Sequence, residues 1–178
     1  RLTMDYSPGL RGVIAGETQI STVGMEGTSL RYRGYDAVGL TNTNTYEDVA
    51  SLIINDDLDG ELFKKSFSNH YKKLSEDSGL IELINRLKTE QHPMDVTRTA
   101  ISYIGEANES NKLDAASKVT AIACLAIASY NKELSDVLDQ KYTVASSLLP
   151  NSSTQQQLEA LDDMLILYAE HGFNASTF

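Results

Sequence analysis

Histidine is the residue type in this chain best suited to chemistry at neutral pH, and three are present: His70, His92 and His171. His171 stands out because it follows a strongly apolar helical pattern and opens the polar stretch 170–178. A helix end favours the cationic form of a histidine, so this cluster could hold a small anion. Alternatively, Gly172 ends the helix as a C-cap, and an Asn, Ser or Thr begins the next helix. The two interpretations are compatible, and the pattern alone leaves both open.

The other candidate reactive groups have simpler interpretations. His70 lies among lysines on a helix face that we expect to be exposed, so its position is incidental, and His92 precedes Pro93 as a capping or turn residue. Cys124 is the only cysteine and lies in the apolar run 121–128, which predicts a core thiol in a reducing compartment. The histidines are far apart, so no zinc pattern exists. No glycine-rich phosphate loop is present either.

Composition narrows the possible partners. The chain has 178 residues and a formal net charge of −10, with a pI near 4.7. It is long enough for one domain with a sizeable core, so we predict a single domain over residues 1–178. The acidic balance argues against nucleic acid and against anionic membrane surfaces. No run of about 18 apolar residues exists, and no apolar signal core opens the sequence, so we expect a soluble, non-exported protein.

The elements that must position these residues are mostly helical. Residues 16–23 and 28–33 alternate and flank the glycine-rich turn 24–27, which predicts one β-hairpin. Helical spacing then predicts a mainly α fold, in which the 113–130 helix is central because it is rich in Ala and Ser. The last helix is apolar in nearly all directions, so we expect protein on every side of it. The predicted helices cover residues 45–55, 60–74, 80–89, 93–104, 113–130, 133–149 and 154–169.

Four motifs, in this order along the chain, resemble those of citrate synthases, particularly the bacterial and archaeal branch that includes 2-methylcitrate synthases. The first two, at residues 9–23 and 31–36, resemble the opening hairpin of that family. The third, at residues 92–100, resembles a helix start, and the fourth, at residues 165–177, resembles the substrate-binding segment. The resemblance covers nearly the whole chain.

The resemblance implies a citrate synthase-like bundle of packed antiparallel helices and an intimate homodimer. The family condenses acetyl-CoA or propionyl-CoA with oxaloacetate and needs no cofactor. By motif, His171 matches the histidine that binds and polarises oxaloacetate, which fits a cationic donor at a helix end. Asn174 and Ser176 match residues that support the site, and Arg11 matches an arginine that contacts CoA phosphate.

The departures from the family are equally informative. The family's catalytic histidine lies in a Gly-Pro-Leu-His-Gly stretch, and this stretch, the catalytic aspartate and the oxaloacetate-clamping arginines are all absent. Tyr168 stands where relatives carry His, and Glu170 where they carry Asp. We therefore expect the N-terminal half of a citrate synthase, without catalytic residues of its own and inactive alone. The alternatives are a 2-methylcitrate synthase fragment, a split enzyme completed by a second chain, and a non-catalytic helical dimerisation module.

Overall fold

A small antiparallel sheet precedes the helices in the computed structural model, which describes residues 17–23, 29–105, 111–134, 137 and 141–172. The strands are β1 (Ser21–Thr22), β2 (Arg31–Tyr32) and β3 (Tyr35–Asp36). The helices are α1 (Ala37–Thr41), α2 (Tyr46–Asn55), α3 (Glu61–Ser75), α4 (Ser78–Leu87), α5 (Pro93–Ile104), α6 (Lys112–Ala128), α7 (Val144–Leu148) and α8 (Gln155–Leu167). The prediction of a mainly α fold with a small β-hairpin is confirmed.

The sheet has the order β1-β2-β3, with Ser21 opposite Tyr32 and Tyr32 opposite Tyr35. The predicted hairpin is therefore confirmed as β1 and β2, although its turn at 24–27 lies outside the described residues. The sequence did not predict β3. It pairs through the two-residue turn Arg33–Gly34, where both φ angles are positive, 44° and 89°. This is the geometry that matches the right-handed twist of a tight hairpin.

Arg33 attaches the sheet to α2. Its Nε donates to the carbonyl of Leu52 at 2.9 Å, and its Nη2 donates to the carbonyl of Ile53 at 2.8 Å. Carbonyls at the C-terminal end of a helix carry partial negative charge, and that of Leu52 also accepts from the N–H of the C-cap residue Asp56. One planar guanidinium thus caps α2 and holds the hairpin against it.

Helix α2 begins as predicted. Thr45 and Asp48 form a reciprocal capping box, which satisfies two backbone N–H groups that the helix itself leaves free. Glu47 is buried, and its carboxylate accepts a 2.8 Å hydrogen bond from the backbone N–H of Val144 at the start of α7. Helix α2 is therefore joined to α7 by a side chain whose charge is removed from solvent.

Helix α6 lies at the centre of the larger core, against α2, α3, α5 and α7, which confirms its predicted position. Its alanines allow the neighbouring helices to approach closely. Cys124 lies in this core as predicted, and burial raises the pKa of its thiol to about 12. The largest fully buried side chains of this core are Phe63, Phe67, Tyr71, Leu80, Ile84, Ile122, Leu125 and Tyr142.

The predicted helix over 133–149 is wrong. In the described residues of that stretch, an α-helix begins only at Val144. The backbone N–H of Tyr142 donates to the Ser68 hydroxyl at 2.9 Å, and the N–H of Val144 donates to Glu47. Thr143 and Ser146 form a capping box. Side-chain acceptors thus bind the N–H groups that a longer helix would have paired with its own carbonyls.

Thr154 is the N-cap of helix α8 as predicted, and it forms a capping box with Gln157. Its only buried residue is Ile166, whereas Met164 is 57% exposed and Tyr168, just past the helix, is 87% exposed. The described residues do not supply the protein expected on every side of α8: α1, α2 and α7 pack against it, and Met164, Leu167 and Tyr168 stay exposed. In the described part of the chain, no helix combines the length and apolar character needed to cross a membrane.

Candidate functional site

The end of α8 is fixed by a hydrogen bond from the sheet. Tyr32 on β2 is fully buried, and its hydroxyl donates to the carbonyl of Ile166 at 2.7 Å. Burial raises the pKa of the Tyr32 phenol, and the nearby backbone N–H groups of Glu170 and Ala169 lower it to a smaller extent. Tyr32, Ile166 and residues of α1 and α2 form a second apolar cluster. The chain that leads to His171 thus leaves α8 from a fixed point.

A turn built by Glu170 presents His171. The Glu170 carboxylate accepts hydrogen bonds from the backbone N–H of His171, at 3.0 Å, and of Gly172. Gly172 has a φ of +87°, a conformation that glycine adopts at little cost. The His171 side chain is exposed. This arrangement leaves the imidazole available to a ligand, with its backbone held by the preceding carboxylate.

Two expectations about this segment are wrong. Helix α8 ends at Leu167 with Tyr168 as its C-cap, so Gly172 does not cap it. Nor does His171 emerge from a buried helix, because it lies one turn beyond the helix on an exposed surface. Beyond the helix, the Glu170 carboxylate binds the N–H groups of residues 171 and 172 and forms a turn there.

Ser21 lies beside the same turn. A methyl group added at Gly172 would come within 3.7 Å of the Ser21 hydroxyl oxygen. Ser21 is 8% exposed, and among the described residues no group forms a hydrogen bond with its hydroxyl. Buried hydroxyls usually form a hydrogen bond, so an unpaired one beside a candidate site indicates a residue that could take part in the function of the site.

The remaining predicted site residues, Asn174, Ser176 and Arg11, lie outside the described residues. Sequence reasoning missed Tyr32 and Ser21 as neighbours of the site. Both belong to the two opening motifs, at 9–23 and 31–36, which were interpreted as a hairpin that carries Arg11. The motifs gave no signal that this hairpin contacts the other end of the chain.

The other two histidines have structural roles. His92 caps α5 as predicted, since its Nδ1 accepts from the N–H of Met94 at 3.2 Å. The interpretation of His70 as incidental is wrong. Its Nε2 lies 2.8 Å from Asp114 Oδ1, which also accepts from the Ser66 hydroxyl at 2.8 Å. The contact with His70 lowers the pKa of the Asp114 carboxyl and joins α3 to α6.

Within the described part of the chain, no three His, Cys, Asp or Glu side chains converge closely enough to hold a metal ion. The exposed imidazole of His171 can form hydrogen bonds with a ligand.

Comparison with known proteins decides the family. The profile described as citrate synthase, C-terminal domain, matches residues 9–178. The chain belongs to the citrate synthase family. It is 35% identical to 2-methylcitrate synthase 2 of Corynebacterium glutamicum, with 99% of this chain and 51% of the relative covered. It is 34% identical to the 2-methylcitrate synthase of Shewanella oneidensis, with 96% and 49% covered. The chain thus spans about half the length of the curated relatives it matches.

Solved citrate synthases share the fold. The Thermoplasma acidophilum enzyme superposes with a TM-score of 0.77 at 17% identity, over 96% of this chain and 50% of that one. The Thermotoga maritima enzyme gives a TM-score of 0.75 at 22% identity, over 96% and 48%. The helical arrangement described above is therefore the citrate synthase arrangement.

Proposed function

We propose that this chain is the N-terminal part of a citrate or 2-methylcitrate synthase and supplies the histidine that binds oxaloacetate. The observation that carries the proposal is the presentation of His171, in a turn held by Glu170, by a chain of the citrate synthase family. The resemblance of residues 165–177 to the family's substrate-binding segment supports it. So does the Thermoplasma acidophilum citrate synthase, which was solved in a ternary complex with carboxymethyl coenzyme A and oxaloacetate.

In this proposal, the His171 imidazole donates a hydrogen bond to oxaloacetate and polarises it. An imidazole offers an N–H donor, and a hydrogen bond to a charged carboxylate is stronger than one between neutral groups. The exposed side chain leaves this donor available to the ligand. The Glu170 carboxylate is committed to two backbone N–H groups, so its role is to hold the turn. Asn174, Ser176 and Arg11 keep their expected roles, the first two in support of the site and Arg11 at CoA phosphate.

The condensation itself needs residues that this 178-residue sequence does not contain. No Gly-Pro-Leu-His-Gly stretch occurs in the sequence, and no position matches the family's catalytic aspartate by motif. We propose that these groups come from a further part of the protein or from a second chain. The complete enzyme would join the acyl methyl or methylene carbon to the oxaloacetate carbonyl and hydrolyse the thioester.

The acyl group is acetyl or propionyl. The two relatives at 35% and 34% identity are both 2-methylcitrate synthases, which favours propionyl-CoA. We propose a cytoplasmic homodimer that requires no cofactor. The exposed apolar side chains at the end of α8, which are Met164, Leu167 and Tyr168, favour association, since exposed apolar side chains that adjoin one another tend to be covered by a partner. A non-catalytic dimerisation module would share this surface but would not bind oxaloacetate.

The experiment is a thiol-release assay with oxaloacetate and either acetyl-CoA or propionyl-CoA. We expect no release by the 178-residue chain alone, because the catalytic groups are absent. Release is expected once the chain is mixed with the unmatched half of the Shewanella oneidensis relative, and it should be lost with His171→Ala. Release by the chain alone that His171→Ala abolishes would show that the chain is catalytically complete.

A further inference from the structure

The hairpin presents two hydroxyls to the segment that carries His171. Ser21 and Tyr32 are directly opposite each other on β1 and β2. Residues directly opposite in an antiparallel pair project from the same face of the sheet. Both side chains are buried, and both face the chain between Ile166 and Gly172. One cross-strand pair thus contacts both ends of this segment.

Tyr32 makes the fixed contact of the pair. Its hydroxyl donates to the Ile166 carbonyl at 2.7 Å, although the two residues are 134 positions apart in the chain. The bond reaches a carbonyl in the last turn of α8 that also accepts from the backbone N–H of Ala169. Loss of the hydroxyl would remove the hydrogen bond that joins this carbonyl to the sheet, five residues before His171.

Ser21 is the member of the pair whose hydroxyl has no hydrogen-bond partner among the described residues. Its oxygen is buried beside Gly172. A buried hydroxyl without a partner disfavours the folded state, and the cost is recovered if a partner arrives. The backbone of Gly172 lies beside it, and a backbone carbonyl is an acceptor that a serine hydroxyl can use.

We propose that Ser21 and Tyr32 form the positioning pair for His171. Tyr32 fixes the end of α8, and the Ser21 hydroxyl donates to the backbone of the 171–172 turn when a dicarboxylate binds. This inference rests on the proposed function, since the ligand in question is oxaloacetate. Neither residue touches the ligand, so both act through the backbone that carries the imidazole.

The test compares three variants of the 178-residue chain by thermal unfolding and by titration with oxaloacetate. Ser21→Ala should leave the melting temperature unchanged or higher, because it removes an unpaired hydroxyl, and should weaken oxaloacetate binding about fivefold, the equivalent of one neutral hydrogen bond. Tyr32→Phe should lower both the melting temperature and the affinity.

Tyr71→Phe is the matched control. Tyr71 is fully buried and its hydroxyl also donates to a backbone carbonyl, that of Ser147 at 3.2 Å, but it lies in the other core. It should lower the melting temperature about as much as Tyr32→Phe and leave oxaloacetate affinity unchanged. Unchanged affinity in both Ser21→Ala and Tyr32→Phe would overturn the proposal.

Amide hydrogen exchange separates this proposal from the proposed function. In the ligand-free chain, exchange at residues 169–172 should be faster in Tyr32→Phe than in Tyr71→Phe or the wild type. If the wild type binds no oxaloacetate, the proposed function fails and the role of Ser21 fails with it. Faster exchange confined to Tyr32→Phe would then still support the Tyr32 contact, and equal exchange would overturn it.

Discussion

The Arg33 Nε donates to the carbonyl of Leu52 at 2.9 Å, and this bond joins the turn after β2 to the last turn of α2. The same guanidinium reaches Ile53, so one side chain satisfies two carbonyls at a helix end. Arg33 directly follows Tyr32, so the bonds of Arg33 to α2 also hold in place the strand whose Tyr32 contacts α8. The position of the segment from Ile166 to Gly172 therefore depends on these two adjacent residues.

The first prediction concerns that guanidinium. Arg33→Lys should lower the free energy of unfolding by about 1 kcal/mol, because a point charge cannot reproduce the planar fork that binds two carbonyls. Urea unfolding measures this change in the free energy of unfolding. Arg31→Lys is the control, since the exposed Arg31 side chain donates to the single carbonyl of Gly34 and lies near the Asp36 carboxylate, and it should change stability by less than about 0.5 kcal/mol. Equal effects of the two substitutions would contradict the role of Arg33.

The second prediction concerns the contact of Gly60 with α2. A methyl group at Gly60 would lie 2.5 Å from both the carbonyl carbon of Glu47 and the nitrogen of Asp48. Both are backbone atoms that cannot move aside, so Gly60→Ala should destabilise the chain by about 2–4 kcal/mol. Gly39→Ala in α1 is the matched control, because its nearest atoms lie at 3.4 Å or more. Thermal unfolding should show little change in the control, and a well-tolerated Gly60→Ala would contradict this packing.

The third prediction concerns Asp162, whose carboxylate accepts from the N–H of Tyr46 at 3.1 Å. Burial, and then the Glu47 carboxylate, raise the pKa of Asp162 to about 6. The folded state therefore binds this proton more tightly than the unfolded state, whose pKa is about 3.9. The stability that this group contributes is present below pH 4 and is lost as the pH rises from about 4 to about 6.

Asp162→Asn should thus stabilise the chain at pH 7 by about 1 kcal/mol, after allowance for solvent screening of a partly exposed carboxylate, and have little effect at pH 4. The amide oxygen can still accept from Tyr46. Urea unfolding at the two pH values measures the difference, with the substitution Glu90→Gln of an exposed carboxylate as control. A stabilisation that is equal at both pH values would argue against a titrating Asp162.

The fourth prediction concerns the contact between His70 and Asp114, 2.8 Å apart between α3 and α6. The pKa of Asp114 is lowered, so the stability it contributes is present at neutral pH and is lost as the pH falls below about 4. A double-mutant cycle of His70→Ala and Asp114→Ala should give a coupling of about 0.5–1 kcal/mol at pH 7, typical of a partly exposed pair. No coupling at pH 7 would contradict the contact.

Features with local causes could be predicted from the sequence. Pro93 after His92 marked the start of α5, and Thr45 and Thr154 marked the starts of α2 and α8, because a cap and its partner lie within a few residues of each other. The central position of α6 also followed from its own alanines.

Features with distant causes could not be predicted. The short α7 depends on Ser68 and Glu47, which are 74 and 97 positions away from the N–H groups they bind. The contact between Tyr32 and Ile166 also joins residues far apart in the chain. The sequence therefore indicated His171 as a candidate site residue, but it did not predict this contact or the exposure of His171. His70 was misjudged because its partner, Asp114, belongs to another helix.

The most direct test is calorimetric titration of the 178-residue chain with oxaloacetate, compared with His171→Ala and with the control His92→Ala, another exposed histidine. We expect saturable binding by the wild type and by His92→Ala. Binding by His171→Ala should be at least about tenfold weaker, because a hydrogen bond to a charged carboxylate is lost. Equal oxaloacetate affinity in the wild type and His171→Ala would contradict the proposal that His171 binds oxaloacetate.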